Sequence, residues 1–164
     1  MPRHSRDAPR EEYLLYNPAF LSLLLRRSSE GFERERTTVG MSTLLAYVAV
    51  SMSLRIDMRS ALTMTVASKL GTWTNDNAKV VTLIAPTCTA LLPYLNNALM
   101  FGLNHRIFTL HHGRLHPTDQ GPKKTISGVT SEVQDCQKAA LYLGRWFALS
   151  GSESTVSALL GVRP

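Results

Sequence analysis

The stretch Ala90–Pro117, ALLPYLNNALMFGLNHRIFTLHHGRLHP, decides the fold that the sequence predicts. Its first half has a helical pattern, because small and apolar residues recur at three- and four-residue spacing and form one apolar stripe. Pro93 suits the first turn of such a helix, where a missing N–H group costs nothing. The pattern predicts a helix that begins near Pro93 and buries one side. The stripe consists of Leu95, Ala98, Leu99, Gly102 and Leu103.

The second half of the stretch changes period and predicts a β-hairpin. Residues 106–110 (RIFTL) are short and β-prone, and residues 114–116 (RLH) can return antiparallel to them. The turn between them, residues 111–113 (HHG), contains a glycine that is free to adopt positive φ. Pro117 ends the second strand. A helix followed by such a hairpin is how a winged-helix domain ends, so DNA binding is the first function to consider.

The chain before this unit predicts three helical segments. Asn17 and Pro18 form a helix start, as N-cap and first helical residue. Residues 41–66 are apolar nearly all round, which is typical of a buried central helix. A third helix, from about Asn77 to Leu91, would have to kink or break at Pro86.

The chain after the hairpin predicts a loop and two helices. The loop is rich in Gly, Pro, Ser and Thr. Ser131 has the position of an N-cap in a capping box with Gln134, and Ser152 can cap a last short helix. We therefore predict a mainly α protein with a small β-hairpin, in which the helical domain has a winged-helix-like (helix-helix-wing) arrangement. The predicted parts are a flexible arm at 1–15 and a single domain at 16–164, with the winged-helix-like part at 76–117, the loop at 118–130 and C-terminal helices at 131–164.

Charge and cysteine usage narrow the class of protein. The net charge of +6 is concentrated between residues 41 and 130, a basic middle that suits phosphate or an acidic protein partner. Cys88 and Cys136 match no metal spacing and no disulfide framework, so we expect reduced, buried thiols. No signal peptide is expected, and the run Met41–Leu54 is too short to span about 30 Å of hydrocarbon. We expect a cytoplasmic protein that does not contact a membrane.

The sequence offers no catalytic constellation, so we expect neither an enzyme nor a cofactor. It contains no glycine-rich phosphate loop and no nucleophile elbow. A cluster of four histidines near the hairpin is the one group to consider for metal, but it has no cysteine or acid among its members, and exposed turn histidines are the simpler interpretation. We expect no metal site. The cluster consists of His105, His111, His112 and His116.

The residues favour weak DNA binding at most. The predicted helix before the hairpin offers Asn96 and Asn97, which can pair with adenine, but it has no Lys or Arg before Arg106. Structural or protein-facing roles for the two asparagines are therefore favoured. Candidate nucleic-acid contacts are Arg106, Arg114, Lys123 and Lys124.

Six stretches together resemble the middle component of bacterial three-component ABC-ATPase (ABC-three-component) conflict and defence systems. The resemblance runs from about Tyr16 to Pro164, and its most specific part is the end of the chain. The stretches are Tyr16–Ala19 (YNPA), the apolar residues 44–56, Asn97–His105 (NALMFGLNH), Gly113–Leu115 (GRL), Leu143–Ala148 (LGRWFA) and Ala158–Pro164 (ALLGVRP).

The resemblance implies a non-enzymatic adaptor subunit. Its partners would be an ABC ATPase of the chromosome-maintenance and DNA-repair type and an effector-linked protein, and it would couple sensing of phage or plasmid to effector activation. Any DNA contact would be indirect, through the complex. The alternative is a stand-alone winged-helix DNA-binding regulator. Neighbouring ATPase and effector genes, or sharply salt-dependent DNA binding by the isolated protein, would discriminate the two functions.

Five residues are candidates for the protein contact that an adaptor needs. Two lie in the segment LGRWFA and one at the C-terminus; the alternative is that Trp146 packs the last long helix against the core and Arg145 ties a helix end. Two lie in the helix before the hairpin. The candidates are Arg145, Trp146, Arg163, Asn96 and Asn97.

Overall fold

The computed structural model describes residues 15–122 and 130–163, which form helices around a small antiparallel sheet. The prediction of a mainly α protein with a β-hairpin is confirmed. In chain order the elements are α1 (Pro18–Glu35), β1 (Met41–Ser42), α2 (Thr43–Leu54), α3 (Ile56–Ala61), α4 (Leu70–Asp76), α5 (Ala78–Asn104), β2 (Phe108–His111), β3 (Arg114–Pro117), α6 (Ser131–Leu149) and α7 (Glu153–Leu159).

Helices α1 and α6 form the centre of the fold through a close crossing. Gly31 of α1 lies against the backbone of Leu141, and Gly144 of α6 lies against the backbone of Ser28. A Cβ atom at either glycine would collide with a carbonyl group of the facing helix. Two small residues, one on each helix, thus allow the backbones to approach more closely than side chains would permit.

Helix α2 is the buried central helix that its composition predicts. All residues from Leu45 to Leu54 are buried, so the helix is apolar on every side because every side meets protein. The prediction that the helix begins at Met41 is wrong: Met41 and Ser42 form β1, and Ser42 then caps α2 by accepting a hydrogen bond from Leu45 N. A second helix, α3, follows after Arg55.

The sheet has the order β1-β3-β2, with both pairs antiparallel. The predicted hairpin is confirmed. His111 pairs with Arg114, which leaves His112 and Gly113 as a two-residue turn. Both turn residues have positive φ, 51° and 73°, as a type I′ turn requires. Phe108 of β2 packs on Gly102 of α5, so the base of the hairpin rests directly on the helix that precedes it.

Helix α5 is one helix of 27 residues and not two. Of the kink or break predicted at Pro86, the break is wrong, and so is the prediction that Pro93 begins another helix, since both prolines lie inside α5. A proline removes the hydrogen bond to the carbonyl group four residues earlier, here those of Thr82 and Thr89. Both prolines and both threonines are exposed, so water can hydrate the freed carbonyl groups on the outer side of the helix.

The predicted caps are confirmed at two helices and displaced at a third. Asn17 Oδ1 accepts from Ala19 N at 2.8 Å, and Ser152 Oγ accepts from Thr155 N at 3.2 Å. At α6 the N-cap is Thr130 and not Ser131, because the Thr130 hydroxyl accepts from Val133 N. Most of the predicted loop at 118–130 lies outside the described residues.

Candidate interaction surface

Helix α5 buries one narrow stripe, half-buries many of the residues that flank it, and exposes its outer side. The buried residues follow spacings of three, four and seven, so they lie on one side of the helix, against α1 and α2. In its most apolar 18-residue stretch only 17% of the residues are buried. The helix is therefore attached to the core and not enclosed by it. The stripe consists of Ile84, Leu91, Leu95, Ala98 and Gly102.

The exposed part of α5 carries large apolar side chains among uncharged polar ones, and beyond Lys79 in the first turn it has no charge. Leu92 and Met100 are 45% and 57% exposed, and Leu83 and Tyr94 are also exposed. No Asp, Glu, Lys or Arg occurs from Val80 to Asn104. By length and composition alone α5 is long and apolar enough to cross a membrane.

This property of α5 was not predicted from the sequence, because Pro86 and Pro93 divide the uncharged run into segments that each have the pattern of an ordinary helix. The signal that would have identified it is the absence of charge from Val80 to Asn104, which includes positions on every side of the helix.

The two candidate asparagines lie on the exposed part of α5. Asn96 Oδ1 accepts a hydrogen bond of 2.9 Å from the Tyr47 hydroxyl of α2, so one side of this amide is used to join the two helices. Burial raises the pKa of Tyr47 to about 12, which keeps the hydroxyl protonated and able to donate. Asn97, the next residue of the helix, is also exposed.

The candidate cations at the hairpin differ in how available they are. Arg106 is exposed at the end of α5, with φ +54°. Arg114 is engaged within the fold: one guanidinium nitrogen donates to Gly40 O at 3.1 Å, and the other lies 3.5 Å from a Glu153 carboxylate oxygen. Lys123 and Lys124 lie outside the described residues.

Three of the four histidines near the hairpin contact an aromatic ring or a carboxylate. The His105 ring stacks on Phe101, and His116 Nδ1 lies 2.9 Å from Glu33 Oε1. The rings of His111 and His116 lie edge to face, 5.8 Å apart. Among the described residues no group of three or more His, Cys, Asp or Glu side chains is placed to hold a metal ion.

The two cysteines are free thiols; Cys136 is buried in the core, as expected, whereas Cys88 is only half-buried at its edge. Burial raises the pKa of the Cys136 thiol to about 11 and also raises the pKa of Cys88, beside Ser51. Both thiols are therefore protonated near neutral pH, and neither has the lowered pKa that a nucleophilic cysteine requires.

The three C-terminal candidates lie in different environments. Arg145 is 38% exposed, and its Nε donates to Glu35 Oε1 at 2.6 Å, which ties α6 to the end of α1. Arg163 is exposed and lines a groove of about 880 Å³ between α7 and the hairpin, together with Arg114 and Glu153. Trp146 is fully buried and its Nε1 donates to Ser68 O, so this side chain packs the core and presents no surface.

A comparison with known protein families matches nearly the whole chain. Residues 5–164 match the family described as ABC-three component (ABC-3C) system Middle Component 3. The chain belongs to this family. The resemblance that the sequence showed from Tyr16 to Pro164 is thereby confirmed. No curated protein matches the chain, and no solved structure matches it.

Proposed function

We propose that the protein is a non-enzymatic adaptor subunit of a bacterial anti-invader defence system. It would join an ABC ATPase of the chromosome-maintenance and DNA-repair type to an effector-linked protein and act in the cytoplasm. Membership of the middle-component family supports association with the other components of such a system. The link to defence and the nature of the two partners follow from the resemblance of the sequence and remain part of the proposal.

The observation that carries the proposal is the exposed, uncharged side of α5. Four large apolar side chains of α5 are exposed on a helix that has no charge after Lys79, and exposed apolar side chains grouped on an uncharged surface favour a protein contact. Leu92 and Met100 project from this side, while the buried stripe holds the helix on the core. An adaptor needs a surface of this kind, whereas an enzyme needs a site.

The structure gives less support to a stand-alone DNA-binding regulator. Affinity for DNA comes largely from cations that neutralise phosphates. Helix α5 has no Lys or Arg after Lys79, and Arg114 is held by Gly40 and Glu153. Of the four proposed nucleic-acid contacts, only Arg106 is exposed within the described part of the chain.

The proposal is tested by co-expressing the three components of the system with a tag on this subunit. We expect the ATPase and the effector-linked protein to co-purify with it at fixed stoichiometry. We also expect the isolated subunit to shift duplex DNA weakly in gels at both low and moderate salt. A subunit that purifies alone from the co-expressed system, or that binds DNA tightly with a steep salt dependence, would overturn the proposal.

A further inference from the structure

Six residues on one side of α5 follow the repeat of a coiled coil. From Ala85 to Leu103, one residue before the end of the helix, their spacing alternates between four and three residues. This alternation keeps the six side chains in one line that a second helix can follow. We call this line the α5 seam. Its residues are Ala85, Thr89, Leu92, Asn96, Leu99 and Leu103.

The α5 seam borders the buried stripe and is open to solvent at three of its six positions. Thr89, Leu92 and Asn96 are exposed, whereas Ala85, Leu99 and Leu103 are half-buried at the edge of the core. The hydrogen bond between Asn96 and Tyr47 places α2 along one border of the seam. A helix laid on the seam would therefore contact α5 directly and α2 at its edge.

Charge occurs only at the two ends of α5. Lys79 stands at its beginning, and His105 and Arg106 follow its last residue. A second copy of this chain would bring like charges together in either orientation, Lys79 against Lys79 or Lys79 against Arg106. A helix with acidic residues about 40 Å apart, the length of α5 at 1.5 Å per residue, would meet a cation at each end.

We propose that the α5 seam binds one amphipathic helix of another component of the system. The partner helix would have apolar residues at heptad spacing and acidic residues near both ends of the contact. This inference rests on the proposed adaptor function, and it adds the face of the protein and the chemistry of the partner.

A lipid bilayer fits α5 less well than a protein helix does. The carbonyl groups freed by Pro86 and Pro93 lie on the exposed side, where hydrocarbon offers no donor for them. The half-exposed ion pair between Arg55 and Asp57 lies next to the first half of α5, because Arg55 and Pro86 line the same groove. A bilayer that covered the length of α5 would have to bury this pair.

The experiment uses the co-expressed three-component system and variants of exposed residues. Leu92→Asp and Met100→Asp place a charge on or beside the α5 seam, and Leu149→Asp is a matched control, since Leu149 is 51% exposed on α6. We expect each α5 variant to weaken binding of one component about tenfold or more, and Leu149→Asp to bind like the wild type. Lys79→Glu and Arg106→Glu should weaken binding of the same component several-fold at low salt. Lys138→Glu, which changes an exposed lysine of α6, should not weaken it.

The outcomes separate this inference from the proposed function. If the wild type co-purifies with its partners and the two α5 variants bind as tightly as Leu149→Asp, the inference fails and the adaptor function stands. If the wild type binds neither component, the proposed function itself fails. Light scattering should show a monomeric isolated subunit; a dimer that Leu92→Asp dissociates would overturn the inference in favour of a second copy. Sedimentation with vesicles of phosphatidylglycerol and phosphatidylethanolamine should show no binding, and binding that Leu92→Asp abolishes would overturn it in favour of lipid.

Discussion

At the residue scale, two glycines determine how closely the central helices approach. Gly31 and Gly144 each face a backbone carbonyl group on the other helix, Leu141 O and Ser28 O. Neither glycine has positive φ, so their role is to leave space and not to permit an unusual backbone conformation. A methyl group at either position must push α1 and α6 apart, and every core residue between them must then move.

Gly144→Ala tests this role directly. We expect the free energy of unfolding to fall by about 3 kcal/mol, since the obstruction is backbone that cannot rotate away. For a domain of this size this corresponds to a loss of about 6–12 °C in Tm. Thermal unfolding followed by circular dichroism measures the change.

Gly71→Ala is the matched control for that substitution. Gly71 lies in α4, where an added Cβ atom would be 3.9 Å from Leu159 Cδ2, an ordinary contact. Alanine favours the helix over glycine, so this variant should be neutral or more stable by up to about 1 kcal/mol. Equal losses in the two variants would contradict the close-crossing argument.

The caps and the turn could be predicted from the sequence, but the contacts of the two glycines could not. Asn17, Ser152 and Gly113 act on their own neighbours in the chain, so local pattern was enough to predict them. Gly144 contacts Ser28, which is more than a hundred residues earlier in the chain, and no residue near Gly144 in the sequence identifies this contact. Trp146 differs, because the sequence already offered core packing as the alternative to a protein contact, and its buried indole donates to Ser68 O.

At the element scale, α5 shows how two internal prolines can prevent a long helix from being predicted from its sequence. Sequence rules treat an internal proline as a break, and they are right about the lost hydrogen bond. They do not include the tertiary contacts that hold the helix together on both sides of the proline. Ile84 and Leu91 lie on either side of Pro86 and are both buried, so the core fixes the helix across the missing bond.

The contact between α2 and α5 predicts a pH dependence. The pKa of Tyr47 is near 12 in the folded protein, above its ordinary value of 10.0, because burial disfavours the phenolate. The raised pKa contributes stability that is fully present below pH 10 and is lost as the pH rises from 10 towards 12. Urea unfolding at pH 8, 10 and 11 should show this loss in the wild type.

Tyr47→Phe is the variant that tests the assignment. It should cost about 1 kcal/mol at pH 8, because the hydrogen bond to Asn96 is removed. It should also reduce the fall in stability above pH 10, since no group ionises at that position. An unchanged alkaline loss in this variant would show that another group is responsible.

At the scale of the whole molecule, one buried ionic network joins four parts of the chain. Glu30 lies 2.7 Å from Arg26 Nε and 2.9 Å from an Arg27 nitrogen, and both arginines are buried. Arg26 donates to Ile107 O at the base of the hairpin, and Arg27 donates to Pro122 O and contacts Gln137 of α6. The network therefore connects α1 with the hairpin, α6 and the segment that follows the hairpin. Local sequence pattern does not predict it, because the alternating charges of residues 30–36 (EGFERER) are typical of a solvated helix end.

Glu30→Gln should lower the stability of the whole protein. Two buried guanidinium groups would lose their shared carboxylate, and we expect a loss of about 2–4 kcal/mol. Hydrogen exchange should accelerate in the hairpin as well as in α1, because Arg26 would no longer be held against Ile107 O. Asp57→Asn, which breaks the half-exposed pair with Arg55, should cost less than about 1 kcal/mol. A purely local effect of Glu30→Gln on α1 would show that the network does not join the parts.

The positions of the two tryptophans have a consequence for spectroscopy. Trp73 and Trp146 are both buried, with their rings edge to face and 5.6 Å apart, and no other tryptophan occurs in the chain. Tryptophan fluorescence from this protein therefore comes from one place, the contact between α4 and α6. Unfolding of the core should shift that fluorescence to longer wavelength. Binding of a partner along α5 should leave it unchanged, so an attached fluorescent dye is needed to detect that binding.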